Sequence, residues 1–350
     1  MSVAYSCNIG GTATLTGTNP NALLLGNVQQ LYGDDTGLNF GTFMVYSLPE
    51  SVICLLFAWI VLQAFHLPLP ELSLPLRTGK AKVSDPGPAA DIGEKIRSQY
   101  RALGPLHTVE YILLCAFLAL ATLWFFRSPE FIPGWADVLG LPDVSDATVV
   151  IAVDLVLFLC PAFVNRAEGK SYTPILTWPE VQSKLEWSML LLLGGGFAMA
   201  YGVTQSQLDQ SIMGVLQEAL SGFPSPPLIL LVMVTFIGML TEVTSNTSTA
   251  AIAQPIMGSL ALAMSLNPLF LLIPTTIACS FAFCLPVATP PNAIAFSEGS
   301  LRIIDMVKTG IVMNMGCFLI ATGWALSWGN VVFDMDQMPP WANVNSTLSN

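Results

Sequence analysis

Residues 269–294 read LFLLIPTTIACSFAFCLPVATPPNAI. The run begins as an apolar segment of membrane-spanning character. Within residues 287–292 two prolines and an asparagine then interrupt it. Proline removes a helical hydrogen bond, and hydrocarbon offers the freed carbonyl no replacement partner. A break at that depth survives only where it is buried in protein or lines a cavity. Helix packing through small residues is the bland alternative, but packing requires neither prolines nor asparagine at this density. The stretch predicts a broken helix beside a polar site.

Two further stretches share that composition: GGTATLTGTNPN at residues 10–21 and TEVTSNTST at 241–249. Their hydroxyl and amide oxygens, joined by carbonyls freed at helix breaks, suit a hard cation such as sodium rather than zinc. The neighbouring half-helix N-termini direct amide hydrogens at anions. Gly17–Ala22 (GTNPNA) also aligns with Ala288–Ala293 (ATPPNA), sharing Thr, Pro, Asn and Ala at equal spacing. Paired interrupted helices are the expected trace of an internal repeat.

Around these motifs the composition is that of a membrane protein. The 350 residues are 53% hydrophobic and 10% charged, with a mean hydropathy of +0.64, whereas soluble domains carry roughly 25% charged residues. Eight stretches are candidate spans: Phe43–Phe65, Val109–Phe126, Thr148–Phe163, Ser188–Val203, Pro227–Leu240, Ala250–Met264, Leu269–Cys284 and Ile311–Trp328. The short ones fit broken helices or re-entrant hairpins. The seven cysteines lie mostly in apolar runs without metal-binding spacing and are expected to be unpaired thiols. Residues 1–21 lack the pattern of a signal peptide.

Charge sets the orientation. Of twelve Lys and Arg, six lie between His66 and Val109, three (Arg166, Lys170, Lys184) between Phe163 and Ser188, and two (Arg302, Lys308) before the last span; only Arg127 lies elsewhere. The alternate loops are acidic. The positive-inside pattern places the basic loops in the cytoplasm and the C-terminus outside. Asn345-Ser346-Thr347, a glycosylation sequon, agrees with an extracellular tail. The basic residues are dispersed and lack aromatic interleaving, so no nucleic-acid partner is expected. No nucleophile–base pair suggests an enzyme. Gly194-Gly195-Gly196 lacks the flanking strand and Lys-Ser/Thr of a nucleotide loop.

The runs at 241–247, 280–294 and 192–200, with Gln99–Pro105 and Ile304–Gly310, resemble the divalent anion:sodium symporter family. These are sodium-coupled di- and tricarboxylate transporters of the solute carrier 13 type. The likeness extends from Tyr5 to Trp328. It implies an all-α polytopic fold of two inverted repeats, with broken helices and a re-entrant hairpin, around two sodium sites and one anion. It assigns sodium ligands to Gly17, Thr241, Thr244, Asn246, Ala288 and Pro290, and substrate contacts to Thr18, Asn246, Thr247 and Thr289. Thr289 favours carboxylates, since sulfate-carrying relatives tend to have Asn there. Sodium is the coupling ion, a succinate- or citrate-type anion the cargo. The lipid bilayer, at the plasma membrane, and a second copy in a homodimer are the partners. An elevator-like or rocking movement carries the site across.

The resemblance implies this organisation: residues 1–66 as the remainder of the first repeat, 67–108 as a cytoplasmic connecting loop, 109–331 as the second repeat with the site, and 332–350 as an extracellular tail. The family's first Ser-Asn-Thr tip has no counterpart here. The chain is therefore expected to be N-terminally truncated, inserting in the membrane without transporting alone. The alternatives are a sodium-sulfate symporter, a non-transporting fragment that associates with the full-length carrier, and an anion-selective pore. Asp154, an acid within an apolar run, is a cavity or interface candidate. Glu242 either tunes the field at the cation site or braces its hairpin. His66 and His107 are interfacial residues.

Overall fold

The structure is a computed structural model. It describes residues 1–33, 36–66, 97–98, 100–127, 133–141, 144–161, 174–185, 187, 191, 194–195, 198, 202, 205–206, 225–297 and 301–342. The sequon at Asn345, most of the connecting loop, and most of the expected span Ser188–Val203 lie outside the described residues.

The described chain is all-α. Its helices are α1 (Ser2–Gly11), α2 (Asn19–Tyr32), α3 (Phe40–His66), α4 (Thr108–Phe125), α5 (Trp135–Val138), α6 (Asp146–Leu159), α7 (Trp178–Lys184), α8 (Pro226–Leu240), α9 (Asn246–Ala263), α10 (Pro268–Ala278), α11 (Pro290–Ser297) and α12 (Ile303–Phe333). Three of them, α3, α4 and α12, are long and apolar enough to cross a membrane, and α8 and α10 are shorter apolar helices. The expected span Leu269–Cys284 is divided: α10 stops at Ala278, and an irregular segment runs to α11. All seven cysteines are free thiols.

Residues Met1–Leu67, Ser128–Val138 and Glu186–Asn350 make one compact unit; Pro68–Arg127 and Leu139–Leu185 make another. In the second unit α4 packs on α6. Arg127, the exception to the loop-charge pattern, forms an ion pair with Asp146 at 2.7 Å and donates to the Val144 carbonyl at 2.8 Å. Asp154 is exposed on α6.

The first unit is built around α10, whose eleven residues are all buried against α9, α8, α12 and α2. Leu23, Ile237, Ala250, Ala251, Ala253 and Cys279 form an apolar cluster beside it. Buried polar bonds tie the same helices. Gln254 Nε2 donates to the Pro20 carbonyl and the Thr276 hydroxyl, both at 3.0 Å. Its Oε1 accepts from Asn27 at 2.7 Å.

The α3–α12 seam is healed around a proline. Pro49 lies inside α3 and has no N–H to offer the Val45 carbonyl one turn earlier. The Trp328 indole donates to that carbonyl at 3.1 Å, and the Trp324 indole to the Tyr46 carbonyl at 2.9 Å. Toward the far end of the seam, the His66 ring and the Thr309 hydroxyl lie 3.2 Å apart.

Candidate functional site

Two helix breaks frame the site, and each is fastened by an asparagine. The break between α1 and α2 covers residues 12–18; that between α10 and α11 covers 279–289. Asn21, third residue of α2, donates to the Thr14 carbonyl at 2.9 Å and more weakly to that of Thr12 at 3.5 Å. Asn292, third residue of α11, donates to the carbonyls of Leu285 at 3.1 Å and Ala282 at 2.9 Å. Both asparagines are fully buried. Each reaches back seven residues to an oxygen that no helix satisfies. The first break also needs glycine, because a Cβ on Gly17 would overlap the Gly11 carbonyl oxygen.

A third element closes the site. Helices α8 and α9 meet at a tight turn, Thr241–Ser245, whose threonine hydroxyls bond to side chains of the first turn of α9. The Thr241 hydroxyl lies 2.7 Å from Asn246 Oδ1 and 3.0 Å from the Cys279 carbonyl. The Thr244 and Thr249 hydroxyls are 2.7 Å apart. Glu242, buried, accepts backbone N–H groups from Phe283 at 2.8 Å, Cys284 at 2.9 Å and Leu285 at 3.2 Å. It also accepts the Asn314 amide at 2.6 Å. The carboxylate thus holds the irregular strip of the second break in shape while also lining the pocket. Gly310 lets α12 approach this strip: a Cβ there would sit 2.6 Å from both the Cys284 Cα and the Phe283 oxygen.

These elements enclose a pocket of about 670 Å³, within the roughly 300–1,000 Å³ usual for small-molecule sites. Gly17, Thr18, Thr244, Asn246, Thr247, Ala288, Thr289 and Pro290 all line it. Thr241 does not line it and reaches it only through Asn246. The N-termini of α2, α9 and α11 all open into the cavity, through Thr18–Pro20, Ser245–Thr247 and Thr289–Pro291. Each helix N-terminus presents about half a positive charge. Among the described residues, Glu242 is the one charged side chain in the lining. Its donor set of hydroxyl, amide and carbonyl oxygens fits sodium chemistry.

Asn8 escaped the sequence reading. Its amide donates to Thr289 Oγ1 at 3.1 Å, the Ala282 carbonyl at 3.2 Å and Asn292 Oδ1 at 3.4 Å, joining α1 to the second break. A lone amide in the helix that leads into Gly10-Gly11 was the available signal. Ser280 was also missed; its hydroxyl donates to Thr18 Oγ1 at 3.4 Å, bridging the two breaks.

Residues 1–335 match the profile described as "Sodium:sulfate symporter transmembrane region". The chain belongs to this family. The resemblance carried by the motifs at 241–247 and 280–294 is borne out at that level. Among the relatives of this symporter-family chain is the Na(+)/citrate cotransporter of Rattus norvegicus, 39% identical over 360 positions, covering 98% of this chain and 62% of that protein. Another is the Na(+)/dicarboxylate cotransporter 3 of Homo sapiens, 37% identical, covering 99% of this chain and 58% of the relative. Solute carrier family 13 member 1 of Homo sapiens is 38% identical, with 98% and 58% covered. The chain thus spans about six tenths of the length of the curated relatives it matches. They carry the names of transporters, not of enzymes.

Proposed function

We propose that this chain takes part in sodium-coupled symport of di- or tricarboxylates, and that the pocket is its contribution to the shared ion and substrate site. One observation carries the reading: three helix N-termini converge on a cavity lined by hydroxyls and amides, with no basic side chain among the described residues of its lining. A dianion taken out of water there needs positive charge from elsewhere. The helix ends supply part of it, and sodium supplies the rest. Ion and anion then bind cooperatively, each lowering the desolvation cost of the other.

In this reading Asn246 and Thr244, with backbone at Gly17, Ala288 and Pro290, offer oxygens to sodium. Thr241 orients Asn246. Thr18, Thr247 and Thr289 face the carboxylates. The Thr289 oxygen already accepts from Asn8 and, at 3.4 Å, from the Asn292 N–H, which leaves its own proton to donate to an anion. The matching Asn21 and Asn292 tethers support an inverted-repeat origin for the two breaks. The ion pair at Arg127 supports the cytoplasmic placing of the basic loops by removing their one exception. Plasma-membrane residence, an extracellular tail glycosylated at Asn345 and a homodimer belong to the same proposal.

A second reading is sodium–sulfate symport, since the family description names sulfate. A cavity of about 670 Å³ favours the larger citrate or succinate. The test is thermal unfolding of the purified chain in lipid nanodiscs with citrate, succinate or sulfate, in sodium or choline chloride. Saturating ligand should stabilise the protein in sodium alone, by about 2.7 kcal/mol at a hundredfold excess over Kd. Asn246→Ala should abolish the effect. Equal stabilisation in choline, or none that depends on Asn246, sinks the carboxylate reading; stabilisation by sulfate alone favours the second.

A further inference from the structure

Away from the pocket, one face of α3 carries three buried side chains whose polar atoms have no partner: the Tyr46 hydroxyl, the Ser47 hydroxyl and both carboxylate oxygens of Glu50. Their residues are 0%, 0% and 2% exposed. Spacings of three and four place Ser47 and Tyr46 beside Glu50 on the helix surface. None of the three lines the pocket, so this cluster is separate from the proposed sodium and carboxylate site.

Among the described residues the surroundings offer no compensating charge. Helix α3 packs against α12 and α1. The tie between His66 and Thr309 and those of Trp324 and Trp328 to Tyr46 and Val45 set an antiparallel register. The nearest hydroxyl on that stretch of α12, Thr322, donates to the Phe318 carbonyl of its own helix. Among the described residues the titratable groups of this seam are Tyr46 and Cys54 on α3 and Cys317 on α12, while Tyr5 on α1 turns its hydroxyl to the Phe283 carbonyl; none is cationic. His66 lies sixteen residues along α3 from Glu50, about 24 Å at 1.5 Å per residue. Arg302 and Lys308 lie at that same end, and Arg302 is paired with Asp305 at 2.8 Å.

An ionised carboxylate in such a place is unfavourable enough that the group takes up a proton instead. A metal ion is a poor substitute. It needs several converging oxygens and room, whereas these four oxygens come from one face of one helix. We propose that Glu50 is a proton-binding site inside the α3 span. The carboxylate takes a proton from hydronium, forming a neutral acid and water, and returns it to water when the α3–α12 seam opens. An acid that is neutral when sealed and ionised when wet couples seam opening to proton release. Such a step would add a proton to the ions that the carrier cycle handles.

The test is infrared spectroscopy of the whole chain in nanodiscs, with Glu50→Gln and, as a control, the exposed Asp154→Asn. At neutral pH the wild type should show the carbonyl band of a protonated carboxylic acid, bleaching on alkaline titration. Glu50→Gln should lose that band and Asp154→Asn should keep it. The wild-type melting temperature should fall as pH rises from mildly acidic to alkaline, because the folded form holds a proton that the unfolded chain releases; in Glu50→Gln that fall should be absent. If Glu50→Gln does not fold, the wild-type spectrum still decides, since absence of any protonated-carboxyl band there overturns the proposal. Superimposable wild-type and Glu50→Gln spectra overturn it as well. So does a band that vanishes when sodium replaces choline, since that makes the occupant a metal ion.

Discussion

Glu242 shows how much one buried side chain can organise in this protein. It gathers three consecutive backbone N–H groups and one side-chain amide, and a buried donor left unpaired costs about 1–3 kcal/mol. Glu242→Ala should therefore lower stability by roughly 3 kcal/mol or more, read by thermal unfolding in detergent. A change below about 0.5 kcal/mol, typical of an ordinary surface substitution, would contradict the bracing role. Thr289→Val keeps the shape and removes the O–H. A hydrogen bond to a charged group contributes about 1.5–3 kcal/mol, so citrate or succinate should bind roughly 10- to 100-fold more weakly by calorimetry in sodium. Unchanged affinity would remove Thr289 from the anion contact. The sequence exposed Thr289 because Thr-Pro-Pro-Asn is chemically out of place in a span. It left Glu242 open between two roles, because the strip it braces lies 41 to 43 positions away in the chain. Asn8 was harder still, since its partners are more than 270 positions distant.

The elements were legible where composition changes abruptly and less so where an apolar run continues through a break. The cores of α3 and α12 stood out from hydropathy alone. The end of α10 did not: Cys279 to Cys284 are apolar or small, yet they follow the helix as irregular backbone held by Asn8, Asn292 and Glu242. Partners elsewhere in the fold decide that boundary. The two breaks should respond alike when their tethers are cut. Asn21→Ala and Asn292→Ala are each expected to destabilise by about 1–3 kcal/mol and to raise amide exchange, the first in residues 12–18 and the second in 279–289. Exchange unchanged in either break would argue against equivalent tethers. The proline in α3 allows a sharper test. Trp328→Phe strands the Val45 carbonyl and should cost roughly 1–3 kcal/mol. Adding Pro49→Ala restores a backbone N–H for that carbonyl, so the double variant should recover much of the loss in a double-mutant cycle. Strictly additive effects would mean that the indole contributes packing alone.

For the whole molecule, segments far apart in sequence build one pocket: residues 7–20, 242–247 and 280–291 all line it. Membership of the symporter family explains why such distant motifs share one composition, since each contributes a helix end or a break to a common cavity. The sequence motifs marked most of that wall before any geometry was known. They did not show how Thr241 is connected, because its hydroxyl turns to Asn246 and the Cys279 carbonyl rather than into the cavity. The proposed function is energetic at this scale: with no basic side chain among the described residues of the lining, an anion bound there would depend on sodium for charge. Coupling of this kind is reciprocal. The direct measurement is calorimetric titration of the purified chain in nanodiscs with citrate at increasing sodium, and with sodium at increasing citrate. Each ligand should raise the affinity of the other by the same factor, about 5- to 150-fold for a typical coupling. Citrate affinity that is identical in sodium and in choline would contradict the account.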